Sequence, residues 1–181
     1  MQLQQFVAWL AATEGSIALH ESLYMYTIVE TVHVLGILLF AGTIAMVDLR
    51  LLGRAFSGTP VSEMTARILP WTVAGFAVMV VSGLLLFYAI PVRSYYSVWF
   101  RIKLLFIVAA AINIWFFHRR VQRDRARWDR DPVPPLGARV SASVSLAAWT
   151  GVIVAGRMIA YDWFDCGRQQ PAWVEWLVQC P

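Results

Sequence analysis

Four long apolar runs divide the chain, and polar segments separate them. The first covers about residues 27–47, TIVETVHVLGILLFAGTIAMV, and stops at Asp48, Arg50 and Arg54. The second, about 68–90, carries no charge. Pro70 stands near its start, where proline suits a first helical turn, and Pro91 ends it. The third, about 96–118, opens with Tyr96, Trp99, Arg101 and Lys103 and continues as LLFIVAAAINIWFFH. The fourth spans about 140–161. Each run matches the roughly 20 residues that a helix needs to cross the hydrocarbon core of a bilayer. The pattern predicts an all-α integral membrane four-helix bundle.

Amphipathic segments flank these runs. Leu3, Phe6, Val7 and Leu10 share one face of a helix over about residues 2–12, and Gly15-Ser16 interrupts it. Trp173, Trp176 and Leu177 fall at i, i+3 and i+4 in a second helix over about 171–179. Both predict short interfacial helices lying on the membrane. No segment carries the composition of a second domain, so residues 1–181 form one membrane domain.

Composition sharpens this reading. Of 181 residues 59% are hydrophobic, and the mean hydropathy is +0.60. Soluble domains run nearer 45–50% apolar. The net charge of +4 would by itself admit a nucleic-acid partner. The placement of the arginines excludes that reading. Arg119, Arg120, Arg123, Arg125, Arg127, Arg130 and Arg139 crowd one connector, and Arg50, Arg54 and Arg67 fall near another. By the positive-inside rule these connectors are cytoplasmic, and both termini lie on the opposite side. Cys166 and Cys180 then share a non-cytoplasmic tail, where a disulfide is their simplest use. The sequence contains no CxxCH, HExxH, Walker or Rossmann pattern.

The strongest chemical signal is Glu30-x-x-His33 in the first span. Spacing i, i+3 puts a carboxylate and an imidazole on one helical face. Ionisable groups at bilayer depth are costly and turn toward partners inside the bundle. Lys103 of the third span and Arg157 and Tyr161 of the fourth enter from the same side. They predict one polar cluster of Glu30, His33, Lys103, Arg157 and Tyr161, with Glu30 and Arg157 as an ion pair. Several uses stay open. The pair is structural, or His33 ligates haem b while Arg157 and Lys103 hold propionates. The cluster binds a quinone headgroup or relays protons, or Glu30 and His33 hold copper. His118, the other candidate metal ligand, sits at the far end of the third span, at least roughly 10 Å from His33 in depth at 1.5 Å rise per residue. Asn113 needs a partner within the membrane, and interhelical bonding is its expected role. Trp71 and Trp149 are expected to pack. Ser143, Ala147, Gly151 and Ala155 recur every four residues, a ridge suited to a partner helix or a second copy.

The stretch ESLYMYTIVETVHVLGILLFAGTIAMVDLRLLGR resembles an uncharacterised family of small bacterial inner-membrane proteins. ILPWTVAGFAVMVVSGLLLFY, FRIKLLFIVAAAINIWFFH and GRMIAY extend the resemblance over most of residues 21–161. It implies four helices in a bacterial inner membrane and no assigned activity; with the orientation read from the arginines, both termini are then periplasmic. It draws attention to Glu30, His33, Asp48, Arg50, Lys103, Asn113, His118, Arg157 and Tyr161. The chain departs from the family pattern at Thr27, where proline is common. The first span is also loosely similar to copper-resistance-D-like proteins and small b-type cytochromes. The expected function is redox-associated: haem b or quinone binding at the cluster, or service as a membrane subunit of an electron-transfer complex. Copper handling and a purely structural, assembling bundle are the alternatives.

Overall fold

In the computed structural model, residues 2–161 and 171–178 are described. Cys166 and Cys180 lie outside them, as does the side chain of Leu177. Two short helices open the chain, α1 (Gln2–Ala11) and α2 (Glu14–Glu21). The break between them falls at Ala12-Thr13 rather than at Gly15-Ser16, because the Thr13 hydroxyl accepts the Ser16 N–H and caps α2. Four long helices follow, interleaved with short ones. They are α3 (Met25–Leu51), α4 (Val61–Ala89), the short α5 (Pro91–Tyr96) and α6 (Val98–Phe116). A π turn (Phe117–Val121) and a 3-10 turn (Gln122–Asp124) lead into α7 (Arg125–Trp128). Then come α8 (Leu136–Ile159) and, at the end, α9 (Ala172–Val178).

Helices α3, α4, α8 and the continuous stretch from Val98 to Trp128 are long and apolar enough to cross a membrane. Large apolar side chains face outward along them, among them Leu38, Leu84, Leu105 and Ile112. That inverted exposure suits contact with lipid. Helix α3 packs along α4, α6 packs along α8, and α3 meets α8 to join the two pairs. Close backbone approach fastens the first pair. A Cβ on Gly36 would lie 3.1 Å from the Met79 nitrogen, and one on Gly75 would lie 2.8 Å from the Phe40 nitrogen. Asn113 and Ser141 bond reciprocally across α6 and α8, at 2.9 and 3.0 Å. This is the interhelical role expected of Asn113.

One expectation about a proline needs correction. Helix α4 starts at Val61, so Pro70 sits inside it rather than in its first turn. The Asp129 carboxylate accepts the Ser62 N–H at 2.8 Å and the Asp129 carbonyl accepts the Val61 N–H at 3.0 Å, which extends the helix beyond the apolar run. Pro91 ends one helix but also starts α5, filling its first position. Trp71 is 64% exposed on the outer surface, whereas Trp149 packs edge-on against Phe40.

One end of the bundle is covered by α1, α2, α5 and α9. Val7 is buried there, the Thr13 hydroxyl meets the Tyr88 hydroxyl at 2.8 Å, and Ser16 donates to the Tyr88 carbonyl at 2.7 Å. Val174 of α9 packs on Val98. The arginine-rich connector closes the other end. Trp128, Ala138 and Ala142 pack there against Leu51 and Val61.

Candidate functional site

Near the covered end, α3 turns His33 inward, and the ring is 9% exposed. Its Nδ1 lies 3.0 Å from the Ser82 hydroxyl, which itself donates to the Val78 carbonyl one turn back in α4. Gly83 makes room for the imidazole: a Cβ there would approach Cε1 to 3.1 Å. The adjacent Ser82-Gly83 thus supplies both a partner and a berth. Sequence reasoning missed Ser82, since a lone hydroxyl in a charge-free span carries no signal unless the facing residue is known.

Lys103 stands across the bundle on α6. Its Nζ lies 3.8 Å from where a Cβ on Gly156 would be, so a second glycine clears space around a second charged group. Lys103 is close enough for its charge to act on the His33 ring. Among the described residues no oxygen accepts a hydrogen bond from Lys103, and no carboxylate lies within 4.0 Å of it. His33 and Lys103 therefore share a region rich in donors and poor in acceptors.

The remaining members of the expected cluster do not converge on it. Glu30 and Arg157 form no ion pair; between described residues, Glu63–Arg67 at 2.7 Å is the pair within bonding range. Glu30 is half-buried one turn from Tyr26 and close enough for their charges to interact. Arg157 is exposed near the end of α8, with its guanidinium 5.1 Å from the centroid of the Tyr161 ring. Depth in a bilayer fixes the level of a side chain, not its direction around the helix. At helix ends a long cation reaches the interface without a counter-ion.

His118 lies in the π turn, exposed, with Nδ1 2.8 Å from the Ile114 carbonyl of its own helix. At about 1.5 Å per residue it is roughly 18 Å deeper along α6 than His33 is along α3. The two histidines cannot share one ligand. Among the described residues no three His, Cys, Asp or Glu side chains gather as a metal site.

An open groove of about 380 Å³ runs between α3 and α4 beside His33. Ile28, Val32, Val78, Val81 and Leu85 line it, and Ser82 is its hydroxyl-bearing residue.

A second polar centre, which the sequence reading did not foresee, occupies the arginine-rich end. Asp48 and Arg50, read as the solvated limit of the first span, are 5% and 0% exposed within α3. Arg50 donates through Nε to the Thr59 carbonyl at 2.7 Å and through Nη2 to the Asp131 carbonyl at 3.0 Å. It ties the end of α3 to both connectors. Gly53, at φ +68, turns the chain beneath it. Slight burial pushes the nearby Asp129 carboxyl up. The hydroxyl and amide of Ser62, with Arg125 and Arg50, outweigh that and hold it below the usual carboxylate range.

The model of the Family of unknown function (DUF6644) matches residues 6–162, and the chain belongs to that family. No curated protein and no solved structure matches it.

Proposed function

From membership of a family with no assigned activity, we propose a redox-associated membrane protein whose ligand is a quinone. Lys103 carries this reading. Its ammonium group offers three donors inside an apolar bundle, finds no acceptor among the described residues, and lies near a buried imidazole. A ligand that completes such a site brings acceptor oxygens and enters from lipid. A quinone meets both demands. One carbonyl accepts from Lys103, the ring of the quinone lies near the His33 imidazole, and its isoprenoid tail lies in the groove beside Ser82. Cationic donors also stabilise the negative charge that reduction places on the ring oxygens. In this reading the Ser82 hydroxyl, which donates to Val78, accepts from Nδ1–H and sets the His33 tautomer. Electrons come from a partner protein, consistent with a membrane subunit of a larger complex.

Haem b is the second candidate for His33. It would need a slot beside a ring that Gly83 and Ser82 already enclose, and, with His118 out of reach, a sixth ligand from elsewhere or a five-coordinate iron. Purified protein in lipid nanodiscs, loaded with a long-chain ubiquinone and washed, tests the reading. Extraction should recover about one quinone per chain from wild type and at least about tenfold less from Lys103→Met and His33→Phe. Recovery equal to that of empty nanodiscs would refute quinone binding. A Soret band in the same sample would assign haem, and stoichiometric copper would assign a metal role.

A further inference from the structure

Asp48 belongs to neither the His33 region nor the Arg50 clasp. It stands three residues before the end of α3, yet is 5% exposed. Ser145 of α8 hydrogen-bonds its carboxyl, and Oδ2 has no partner. No cation nearby is directed at it. Arg50, two residues on and so on another side of α3, gives Nε and Nη2 to the carbonyls of Thr59, Asp129 and Asp131, while its Nη1 has no partner among the described residues. On α4, Glu63 and Arg67 pair with each other at the surface. Arg139 of α8, Arg54 of the connector, and His118, Arg119 and Arg120 of the π turn are exposed. Lys103 and Arg157 lie at the opposite end of the bundle. An ionised carboxylate with a bare oxygen in this setting would be left uncompensated. A neutral acid avoids that cost.

Packing also decides which side such a group can reach. Toward the arginine-rich end less than one helical turn of α3 remains. Toward the covered end the Thr43 and Thr72 hydroxyls pair at 2.9 Å. Beyond them Phe40, Phe76 and Trp149 close the interior, with ring centroids 5.4 and 4.7 Å from Phe40.

We propose that Asp48 is a proton-binding site, loaded at neutral pH and exchanging with water at the arginine-rich end. Its ligand is the proton, and the site stands independently of quinone binding.

A hydrophobic carbodiimide tests this in native membranes. Such reagents react with protonated carboxyls in apolar surroundings. The acid's proton passes to a carbodiimide nitrogen while the carboxyl oxygen bonds to the central carbon, and the adduct rearranges to a stable acylurea. At pH 7, dicyclohexylcarbodiimide should label the peptide containing Asp48, at a rate that falls tenfold per pH unit once the site empties. Asp48→Asn should abolish the label. No label at Asp48 at any pH, or a rate independent of pH, would overturn the proposal. Protection by sodium at constant ionic strength would also overturn it, in favour of a cation site. If Asp48→Asn does not fold, infrared spectra of Ser145→Ala decide. Loss of the hydroxyl should shift the protonated-acid carbonyl band, whereas a spectrum without that band, or one left unmoved, refutes the assignment.

Discussion

Replacing Gly75 by alanine should loosen the whole α3–α4 pair, and replacing Gly42 should not. A Cβ at Gly75 would lie 2.8 Å from the Phe40 nitrogen and 3.1 Å from its Cα, both backbone atoms. Ordinary contact begins near 3.4 Å, so one helix must move by about half an ångström to admit the methyl group. No rotamer change can relieve a clash with backbone. Such overpacking costs roughly 1–3 kcal/mol. A Cβ at Gly42, two residues beyond Phe40 on α3, meets nothing within 4 Å. Both substitutions gain the same helix propensity, about 1 kcal/mol over glycine. That gain cancels when the variants are compared, and the difference between them isolates the packing term. Reversible unfolding in mixed micelles, followed by circular dichroism as the denaturing detergent fraction rises, measures it. Gly42→Ala should match or exceed wild type, and Gly75→Ala should fall about 1–3 kcal/mol below Gly42→Ala. Equal stabilities, within about 0.5 kcal/mol, would show that the helices do not meet backbone to backbone at Phe40.

Three other outcomes are expected from the same assay. Arg50→Met removes two short charge-assisted bonds to connector carbonyls, at about 1.5–3 kcal/mol each, and a longer one to the Asp129 carbonyl at 3.4 Å; it should destabilise by roughly 3–5 kcal/mol, with Arg50→Lys recovering only part, and a neutral Arg50→Met would show that the clasp is not formed. Asp129 has a folded-state pKa below its unfolded value near 3.9. Its contribution is therefore complete above that value and is lost as pH falls through the folded one. Unfolding measured between pH 6 and pH 2 should show this loss in wild type and a flatter profile in Asp129→Asn, whose amide oxygen still accepts the Ser62 N–H. Asn113→Leu should cost about 0.5–1.5 kcal/mol, as interhelical bonds in membranes do. A double-mutant cycle with Ser141→Ala should show a coupling for the hydroxyl bond alone, since the bond to the Ser141 carbonyl survives that substitution, and strictly additive losses would deny the hydroxyl bond.

The four long helices were legible because the bilayer imposes one crude demand, about twenty apolar residues, and each run meets it. The inward turn of His33 was legible for a related reason, since a polar ring in such a run must find a partner. Which partner it finds was not legible. Ser82 lies 49 residues away, and its hydroxyl serves equally well bonded to its own helix. The clasp was hidden more completely. Arg50 binds main-chain carbonyls of residues 59 and 131, and every residue type presents a carbonyl, so no complementary side chain marks the site. Asp48 and Arg50 read as the edge of the membrane because charges ordinarily stand there. The connectors fold back over them instead, and burial by a loop leaves no periodic trace. The pairing expected of Glu30 and Arg157 failed for a geometric reason. Hydropathy gives one coordinate, along the membrane normal, and an ion pair needs the angular position around each helix as well.

Two polar centres in one small bundle raise the question of whether they act together. They lie on the same helix, fifteen residues apart, or roughly 22 Å at 1.5 Å per residue. Between them α3 presents Phe40, 6% exposed and wedged against Phe76 and Trp149. A chain of hydroxyls could not cross that layer without displacing a ring. Direct proton passage from Asp48 to the His33 region is therefore closed in this conformation. Coupling between the two would have to be mechanical, through the α3–α4 seam that Gly36 and Gly75 hold at backbone contact. A seam so closely packed resists gradual deformation and favours discrete shifts of one helix against the other. Phe40 stands on that seam: its backbone meets Gly75 and its ring meets Trp149 of α8. A shift that admitted a headgroup near Lys103 would move the same residue that seals Asp48 from the far side. The two centres are separate sites whose communication, where it exists, runs through one aromatic side chain.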